Sequence, residues 1–413
     1  MASRTADYPL IVIGAGAAGN GASERASEAG IPHIVLEASH RAGGRGLTEI
    51  LDGIPVDLGC HWMHCASRNP YVRIADAFGF DYLETERYDY EMFFDGAWLP
   101  ASDWEDFKRF REDSYRRVDA RYRRDPSDSI FSAIDNDNRW SAHMHYWWSL
   151  LHSNDVDEVS VQDAVEFDET DEDWPVRQGY GALIARQAES RPVRFNSEVT
   201  AIDWGVSPIR LETGAGVVRA DRVILTVSTG VLSSGRLAFR PALPEWKLAA
   251  IDALPLGNSN YQFFSFEPGT FGSDPPGNIH YQEGDVSMAI RMRPFGTDCV
   301  FTSTGGRFAW WLEKQGMLAS RAHLEDALVR IYGASIRKEL RVFKVSAWGH
   351  DPFVQGAYSS QKPGCRDMRP RLAEPLSDAL YFAGEATSSE YMNTAHGAYL
   401  SGRRAVERLL ESA

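Results

Sequence analysis

Six residues near the amino terminus have the spacing of a phosphate-binding turn. Gly14, Gly16 and Gly19 form a Gly-x-Gly-x-x-Gly pattern that follows an apolar run and opens a helical one. In such a turn the first glycine permits the bend, the second lets the backbone approach a pyrophosphate, and the third allows close packing of helix against strand. The helix N-terminus then offers unpaired N–H groups to the phosphates. The pattern favours a dinucleotide site over a glycine-rich turn that binds no nucleotide.

An acidic residue follows at the place where the ribose of a dinucleotide would lie. Glu37 ends the next predicted strand, and a carboxylate there accepts hydrogen bonds from ribose hydroxyls and repels a 2′-phosphate, which disfavours NADP. Gly43, Gly44 and Arg45 come soon afterwards. Paired glycines let the chain pass close to a second phosphate or a flavin, and Arg45 can neutralise charge there. In an NAD enzyme the next helix would begin at this point, so the arrangement favours FAD.

A second possible cofactor contact lies near the carboxyl terminus. The apolar run 379–383 leads directly to Gly384 and Glu385. Backbone N–H groups of this turn could meet a diphosphate or a ribityl chain, and Glu385 could accept a hydrogen bond from a ribityl hydroxyl. A solvated loop carboxylate is the alternative interpretation of Glu385. The small residues of 396–402 suit a helix that passes under a flavin ring.

Apolar runs and helical spacings predict the elements that position these residues. A strand at 8–13, a helix at 17–29 and a strand at 31–37 form a βαβ unit. Residues 104–173 are charged, aromatic and acidic in turn, unlike the glycine-rich start, which indicates an inserted domain. Further predicted elements are a helix at 70–78, a hairpin at 91–99, a helix at 104–124, an aromatic-rich segment at 143–151, strands at 193–204, 209–211, 222–227, 261–266, 300–303 and 379–383, and a helix at 397–410.

Length and charge exclude several classes of protein. The chain has 413 residues, with 43 basic against 58 acidic side chains and a net charge of −15. The length predicts two domains, and the acidic charge argues against a nucleic-acid partner. The charge could steer cationic substrates, although solubility explains it better. No apolar run reaches the ~20 residues that a membrane span needs, and the polar start is a poor signal peptide, so we expect a cytoplasmic protein. Four scattered cysteines predict neither a disulfide framework nor a structural zinc site.

Seven short sequence blocks follow the glycine-rich turns at 14–19 and 43–45, and they extend the pattern to about residue 410. Together with the two turns above, they resemble the flavin-containing amine oxidases, the family of the monoamine oxidases, polyamine oxidases and lysine-specific histone demethylases. The blocks are 57–64 (DLGCHWMH), 178–183 (QGYGAL), 198–202 (EVTAI), 223–232 (VILTVSTGVL), 347–359 (AWGHDPFVQGAYS), 382–387 (FAGEAT) and 396–402 (HGAYLSG). The last two are most similar to the polyamine oxidases.

The resemblance implies which residues meet FAD and which meet the substrate. Expected at the reacting face are His64, Tyr261, Tyr358 and Thr394. Expected contacts with FAD are Gly14, Gly16, Ala18, Gly19, Glu37, Ala38, Gly44, Arg45, Gly59, Trp62, Val199, Trp348, Gly384, Glu385, Thr394 and Ala395, with Val199 on the adenine side. Monoamine oxidases attach flavin through a cysteine beside the substrate-facing tyrosine, but here Ala357 precedes Tyr358, so non-covalent FAD is expected.

Three positions depart from the family pattern. Tyr261 stands where the family usually has a lysine tied to oxygen reactivity, so the electron acceptor is either oxygen or a protein or quinone. Thr394 stands where many members place a second aromatic wall opposite Tyr358, which implies a bulkier substrate than a simple monoamine. Ser228 stands where proline is usual.

The resemblance also implies the architecture and the activity. The expected fold is α/β, with a Rossmann-like FAD-binding domain of the GR2 type and an inserted α+β substrate-binding domain. The expected boundaries are 1–80, 190–255 and 370–413 for the first domain, and 81–189 and 256–369 for the second. The implied function is oxidation of a secondary or polyamine-like amine by hydride transfer to flavin N5, giving an imine that hydrolyses. The alternatives are an FAD-dependent desaturase or dehydrogenase of a non-basic molecule, and a flavin-binding protein without turnover.

Several polar residues keep two interpretations. His64 could hydrogen-bond the amine or take its proton, or it could be a packed histidine. The acidic run 168–173 could attract cations at an entrance, although a solvated loop is favoured. The segment 143–151 could line a pocket, although helix packing is favoured. A metal site is disfavoured because flavin already explains the loop that holds its possible ligands, which are Cys60, His61, His64 and Cys65.

Overall fold

The computed structural model describes residues 5–84, 90–272 and 277–412. Residues 1–4, 85–89, 273–276 and 413, which fall in the predicted domain ranges, lie outside the described residues. The strands are β1 (Tyr8–Ile13), β2 (His33–Leu36), β3 (Thr48–Leu51), β4 (Ile54–Asp57), β5 (Trp62–Met63), β6 (Tyr90–Phe94), β7 (Ala97–Trp98), β8 (Trp174–Pro175), β9 (Val193–Arg194), β10 (Val199–Asp203), β11 (Ile209–Thr213), β12 (Gly216–Leu225), β13 (Ala238–Arg240), β14 (Ser259–Phe266), β15 (Asn278–Glu283), β16 (Val286–Met292), β17 (Cys299–Gly305), β18 (Leu340–Val345) and β19 (Leu380–Phe382). The helices are α1 (Ala17–Glu28), α2 (Pro70–Phe78), α3 (Ala101–Arg124), α4 (Ser141–His152), α5 (Val161–Val165), α6 (Tyr180–Ala188), α7 (Thr229–Ser233), α8 (Glu245–Asp252), α9 (Gly306–Gln315), α10 (Met317–Tyr332), α11 (Met368–Ala373) and α12 (Ala395–Glu411).

The predicted βαβ unit forms the centre of the first sheet. Strands β19, β12, β1, β2 and β9 run parallel in that order. Leu10, Ile11 and Val12 are fully buried, as expected for a parallel strand covered on both faces. The amino-terminal half of β12 pairs antiparallel with β11, which continues the sheet to β10 and β13. The predicted βαβ unit is therefore confirmed.

One predicted strand is wrong. Residues 193–204 do not form one continuous strand, because the chain turns at Asn196, whose φ is +53°. Before the turn, β9 pairs with β2, and after it β10 pairs with β11. Sequence periodicity alone could not separate the two pieces, since both are short and apolar at their ends.

Helices α1 and α12 cross in close backbone contact over the first sheet. A Cβ atom on Gly402 would lie 1.9 Å from the carbonyl oxygen of Ala18, and one on Gly21 would lie 2.1 Å from that of Tyr399. Glycine at these two positions therefore lets the helices approach, and the N-termini of both helices point to the same edge of the sheet.

A second, mostly antiparallel sheet has the order β18-β14-β17-β16-β15-β6-β7. Leu324, Ala327 and Leu328 of α10 pack on one face, and α4 packs across β16 and β17. The strands of the first sheet fall within 1–80, 190–255 and 370–413, and those of the second within 81–189 and 256–369. The domain boundaries themselves stay a prediction. No helix within the three described ranges is long and apolar enough to cross a membrane.

Candidate active site

The carboxyl ends of four parallel strands meet at one edge of the first sheet. The Gly14 N–H donates to the Leu36 carbonyl over 2.8 Å, which ties the end of β1 to that of β2. The Thr226 hydroxyl donates to the Ile13 carbonyl over 2.7 Å, which ties β1 to the end of β12. Gly384 follows β19 at the same edge. Ligands of such sheets bind in the crevice outside the carboxyl ends of the strands.

The two glycine-rich turns lie side by side at this edge. Gly14 has a φ of +104°, and a Cβ atom on Gly19 would lie 1.9 Å from the Gly14 carbonyl oxygen, so both positions require glycine. The Gly43 N–H donates to the Ala15 carbonyl over 2.9 Å, which places the second turn, including Gly44, beside the first. No side chain caps the N-terminus of α1 at Gly16, so its first-turn N–H groups, including that of Ala18, face the crevice uncapped.

Glu37 lies at the mouth of these turns. Its carboxylate accepts the N–H of Ala15 over 2.7 Å and that of Ser39 over 2.8 Å. Burial raises the pKa of Glu37. The Ser197 N–H donates to the Glu37 carbonyl over 2.8 Å, and this bond brings the start of β10 at Val199 toward Ala38.

Arg45 and Glu385 form one ion pair. An Arg45 Nη atom lies 2.8 Å from Glu385 Oε1 and donates to the Ala357 carbonyl over 2.6 Å. The other carboxylate oxygen, Oε2, accepts the Ser359 hydroxyl over 2.7 Å. Glu385 is therefore a buried, fully engaged acid and not a solvated loop carboxylate. A narrow crevice beside the pair is lined by Arg45, Thr229, Gly384 and Glu385.

The loop that contains Gly59 packs between the backbone of Arg45 and the indole ring of Trp348. Gly59 lies against the Arg45 carbonyl and the Trp348 ring, and the Trp348 indole N–H donates to the Leu58 carbonyl over 2.7 Å. These contacts hold the loop 57–64 beside the second glycine turn. The open turns, the uncapped helix and the Arg45–Glu385 pair together fit a dinucleotide such as FAD.

Tyr261 packs within an aromatic cluster. Its ring centroid is 5.9 Å from that of His61, 5.9 Å from that of Phe301 and 5.8 Å from that of Phe263. Trp62 stands edge-on to His61 at 4.4 Å. Burial raises the pKa of Tyr261, so the phenol stays neutral. The side chain at this position thus carries no charge.

His64 pairs with Asp173. Strand β5 pairs with β8 in a register that matches Met63 with Trp174, so the next residues along, His64 and Asp173, face each other. His64 Nδ1 lies 2.5 Å from an Asp173 oxygen. Burial acts to lower the pKa of His64, but the charge and hydrogen bond of Asp173 raise it above its usual value. His64 is therefore held by a carboxylate, and not simply packed.

The hydroxyl groups of Tyr358 and Thr394 both form hydrogen bonds with backbone groups of the protein. The Tyr358 hydroxyl donates to the Leu150 carbonyl, and burial raises its pKa to about 12. The Thr394 hydroxyl accepts the Gly397 N–H over 3.0 Å and donates to the Tyr391 carbonyl over 2.8 Å, which caps α12. Ala395 follows as the first residue of that helix, packed in the apolar core. A role of Thr394 at the substrate stays a prediction.

The comparisons with known proteins agree with this geometry. Residues 100–410 match the family described as flavin containing amine oxidoreductase, and residues 12–76 match an NAD(P)-binding Rossmann-like domain. The chain belongs to the flavin-containing amine oxidoreductase family. The predicted family, the Rossmann-like FAD-binding fold and FAD as cofactor are confirmed, and the protein is an FAD-dependent amine oxidoreductase.

Three proteins similar to this amine oxidoreductase cover between 57% and 98% of the chain. Polyamine oxidase 4 of Oryza sativa subsp. japonica is 27% identical over 96% of this chain and 88% of its own length. Protein FLOWERING LOCUS D of Arabidopsis thaliana is 32% identical, over 57% of this chain and 31% of its own. A solved structure of wild-type putrescine oxidase bound to putrescine has a TM-score of 0.82 at 18% identity, covering 98% of this chain and 99% of that one, which is a likeness of fold.

Sequence reasoning missed a buried hydrogen-bond network, centred on Glu313, that holds the backbone at Trp348. Glu313 accepts hydrogen bonds from Asn258 over 2.7 Å and Asn260 over 2.8 Å, and Asn260 in turn accepts the Trp348 N–H over 3.3 Å. Burial acts to raise the pKa of Glu313, but hydrogen bonds from the two asparagines and His350 lower it below its usual value. No sequence motif marked this acid, because its partners come from a distant strand and loop.

The structure decides between the two interpretations of the acidic run 168–173 and of the aromatic segment 143–151, with a different result for each. In the acidic run, Asp168 pairs with Arg68 and Asp173 with His64, so these two carboxylates are not simply solvated. In the aromatic segment, His143 and Trp148 are buried between α4 and its neighbours, which is the helix packing that the sequence favoured.

Proposed function

We propose that this amine oxidoreductase oxidises a secondary or polyamine-like amine by hydride transfer, giving an imine that water hydrolyses. The observation that carries the proposal is the course of the loop 57–64. Its start places Gly59 beside Arg45 of the cofactor edge, and its end places Trp62 and His64 beside the aromatic cluster of Tyr261. One loop thus joins the residues proposed to hold the cofactor to those proposed to meet the substrate.

The residues proposed to hold FAD act mainly through backbone and through two acids. The glycine turns and the α1 N-terminus would meet the diphosphate, Glu37 the adenosine ribose, and Glu385 with Arg45 the ribityl side. The full proposed set is Gly14, Gly16, Ala18, Gly19, Glu37, Ala38, Gly44, Arg45, Gly59, Trp62, Val199, Trp348, Gly384, Glu385, Thr394 and Ala395. When bound by these residues, FAD would supply the hydride acceptor for the carbon that bears the amine.

The aromatic wall, formed by Trp62, Tyr261 and Phe301, is proposed to favour the neutral form of the substrate amine. Trp62, Tyr261 and Phe301 present apolar rings, and an apolar surface disfavours the charged ammonium relative to the neutral amine. Only the neutral amine has the lone pair that stabilises the carbon as the hydride leaves. Exclusion of water from this wall therefore favours the reactive form.

His64 is proposed to move the proton of the bound ammonium. Its Nδ1 faces Asp173, which fixes the tautomer with the proton on Nδ1 and leaves the Nε2 lone pair as the acceptor. The nearby carboxylate also stabilises the imidazolium after the proton arrives. His64 would thus take the proton at Nε2 before oxidation.

Two finer points concern the cofactor and its reoxidation. We propose that FAD is held without a covalent bond, because Ala357 precedes Tyr358. Tyr261 supplies no amine near the reacting face, so the electron acceptor is either oxygen or a protein or quinone. Tyr261 in place of a lysine also favours the second candidate function, a desaturase or dehydrogenase of a non-basic molecule.

Anaerobic mixing of the purified yellow protein with amines tests the proposal. Bleaching of the flavin band by amines, and not by neutral compounds that could only be desaturated, is the expected result. Bleaching only by the neutral compounds would replace the proposal with the desaturase, and bleaching by neither would indicate a protein without turnover. The reaction in air, with detection of peroxide, then distinguishes oxygen from another acceptor.

A further inference from the structure

A cavity of about 310 Å³ lies between α11, β19 and α12. Arg404 and Arg408 of α12 give it positive charge, and Pro370, Ala373 and Ala405 give it apolar walls. The two arginines are four residues apart, so their side chains leave the same face of the helix. The volume lies within the ~300–1,000 Å³ that small-molecule sites occupy.

This cavity shares a wall with the narrow crevice of the cofactor edge. Phe382 and Thr387 line both spaces. The Thr387 hydroxyl donates to the Gly384 carbonyl over 2.8 Å, and the Gly384 N–H donates over 2.8 Å to the hydroxyl of Ser401, which also lines the cavity. A ligand in the cavity would therefore lie next to the turn that follows β19, outside the residues proposed to hold FAD.

No ion pair neutralises the two arginines within the described ranges of the chain. In those ranges, the one hydrogen bond that either guanidinium donates runs from Arg408 to the Ala373 carbonyl over 2.9 Å. Arg404 is exposed as a whole, yet burial of its guanidinium lowers its pKa, and the charge of Glu390 acts to raise it. Glu390 is the one acid among the residues that line the cavity, so two positive charges face one negative charge.

Serine hydroxyls supply further hydrogen-bond donors beside the arginines. Ser388 is buried and accepts the Tyr391 N–H over 3.3 Å, so its own proton is still to be donated. The Ser389 hydroxyl has no hydrogen-bond partner in the part of the chain that the structure describes. Guanidinium and hydroxyl groups together suit a phosphate, which carries a charge near −2 and several acceptor oxygens.

We propose that this cavity binds the phosphate monoester of a small organic molecule. Arg404 and Arg408 would pair with the phosphate oxygens, the serine hydroxyls would donate to the same group, and the apolar walls would contact the organic part. A dianion suits two cations better than a singly charged anion does, because each guanidinium then meets a full negative charge. The site is independent of the proposed amine oxidation, since none of its lining residues is assigned to FAD or to the amine.

Binding of phenyl phosphate to the holoenzyme tests the proposal. Isothermal titration calorimetry at constant ionic strength, with FAD in excess so that the glycine turns are not available to the probe, compares it with phenyl sulfate, which has the same shape and about half the charge. Wild type should bind phenyl phosphate at least ~5-fold more tightly than phenyl sulfate. Arg404→Gln should weaken the binding of phenyl phosphate by ~10- to 100-fold, because charge-assisted hydrogen bonds are lost.

Three further variants separate the site from a general effect of charge. Glu390→Gln removes the opposing charge and should strengthen the binding of phenyl phosphate by ~2- to 5-fold. Arg404→Lys keeps the charge but loses the paired donors, so it should bind with an affinity between those of wild type and Arg404→Gln. Arg109→Gln removes an exposed arginine of α3 and should bind as wild type does.

Several results would overturn the proposal. They are the absence of binding to wild type, equal binding of phenyl sulfate, equal binding by wild type and Arg404→Gln, weaker binding by Glu390→Gln, and a loss in Arg109→Gln as large as that in Arg404→Gln. None of these results bears on amine oxidation, which the bleaching of the flavin by amines decides separately.

Discussion

A buried ion pair behind the cofactor site gives a quantitative prediction. The side chains of Arg369 and Asp163 are 3% and 2% exposed. They share two hydrogen bonds, of 3.0 Å from Nε and 2.6 Å from an Nη atom. Arg369 also donates to the Ser359 hydroxyl over 2.9 Å, and that hydroxyl donates to Glu385. The pair therefore supports the acid that contacts Arg45.

Asp163→Asn keeps the size of the side chain but leaves Arg369 buried without its counter-charge. Removing one partner of a buried pair destabilises a protein by ~3–5 kcal/mol. We expect a loss of this size in the free energy of unfolding, together with weaker retention of FAD because Ser359 and Glu385 lose their support. The double replacement of Asp163 and Arg369 by leucine should recover most of the loss, since neither charge then remains buried.

Urea unfolding followed by far-UV circular dichroism measures the free energy, and the fluorescence of released flavin measures retention. Arg330→Gln is the control, because it breaks an exposed pair with Glu283 that should contribute only ~0–1 kcal/mol. The reasoning is refuted if Asp163→Asn lowers the free energy of unfolding no more than this control does. A double variant less stable than the single one would refute it equally.

Three further predictions follow from single contacts. A Cβ atom on Gly19 would lie 1.9 Å from a carbonyl oxygen, so Gly19→Ala should lose the yellow flavin, whereas Gly214→Ala, with open space around it, should keep its absorbance. Asp173→Asn removes the carboxylate that raises the pKa of His64, so the acidic limb of the pH profile of flavin reduction should move to lower pH. Burial lowers the pKa of Lys247 from 10.5 to about 7. Between these values the unfolded state binds the extra proton, so stability should rise with pH there, and Lys247→Met should flatten that rise in urea midpoints measured at several pH values.

The cofactor edge could be predicted from sequence because its determinants are local. The turn at Gly14, the strand before it and the helix after it lie within one short stretch, and their geometry follows from glycine spacing and apolar runs. Arg45 and Glu385 were both named from such stretches. Their direct pairing, however, joins two ends of the chain and follows only from the sheet order.

The substrate face could not be predicted to the same depth because its contacts depend on register. The acidic run containing Asp173 reads as a solvated loop until β5 pairs with β8 and sets it opposite His64. Arg291 reads as one charge in an apolar strand until its opposite neighbour, Phe301, shows which face it shares. A shift of one residue in either pairing would turn these side chains away.

The departures from the family pattern differ in whether the new side chain keeps the structural role of the usual one. Ser228, in place of proline, accepts the Val231 N–H over 3.1 Å and donates to the Val354 carbonyl over 2.6 Å, so it caps α7 and preserves the turn. Tyr261 preserves no such function, because a neutral ring replaces a cation. The change at position 228 therefore keeps the local geometry, whereas the change at position 261 removes a positive charge from its position.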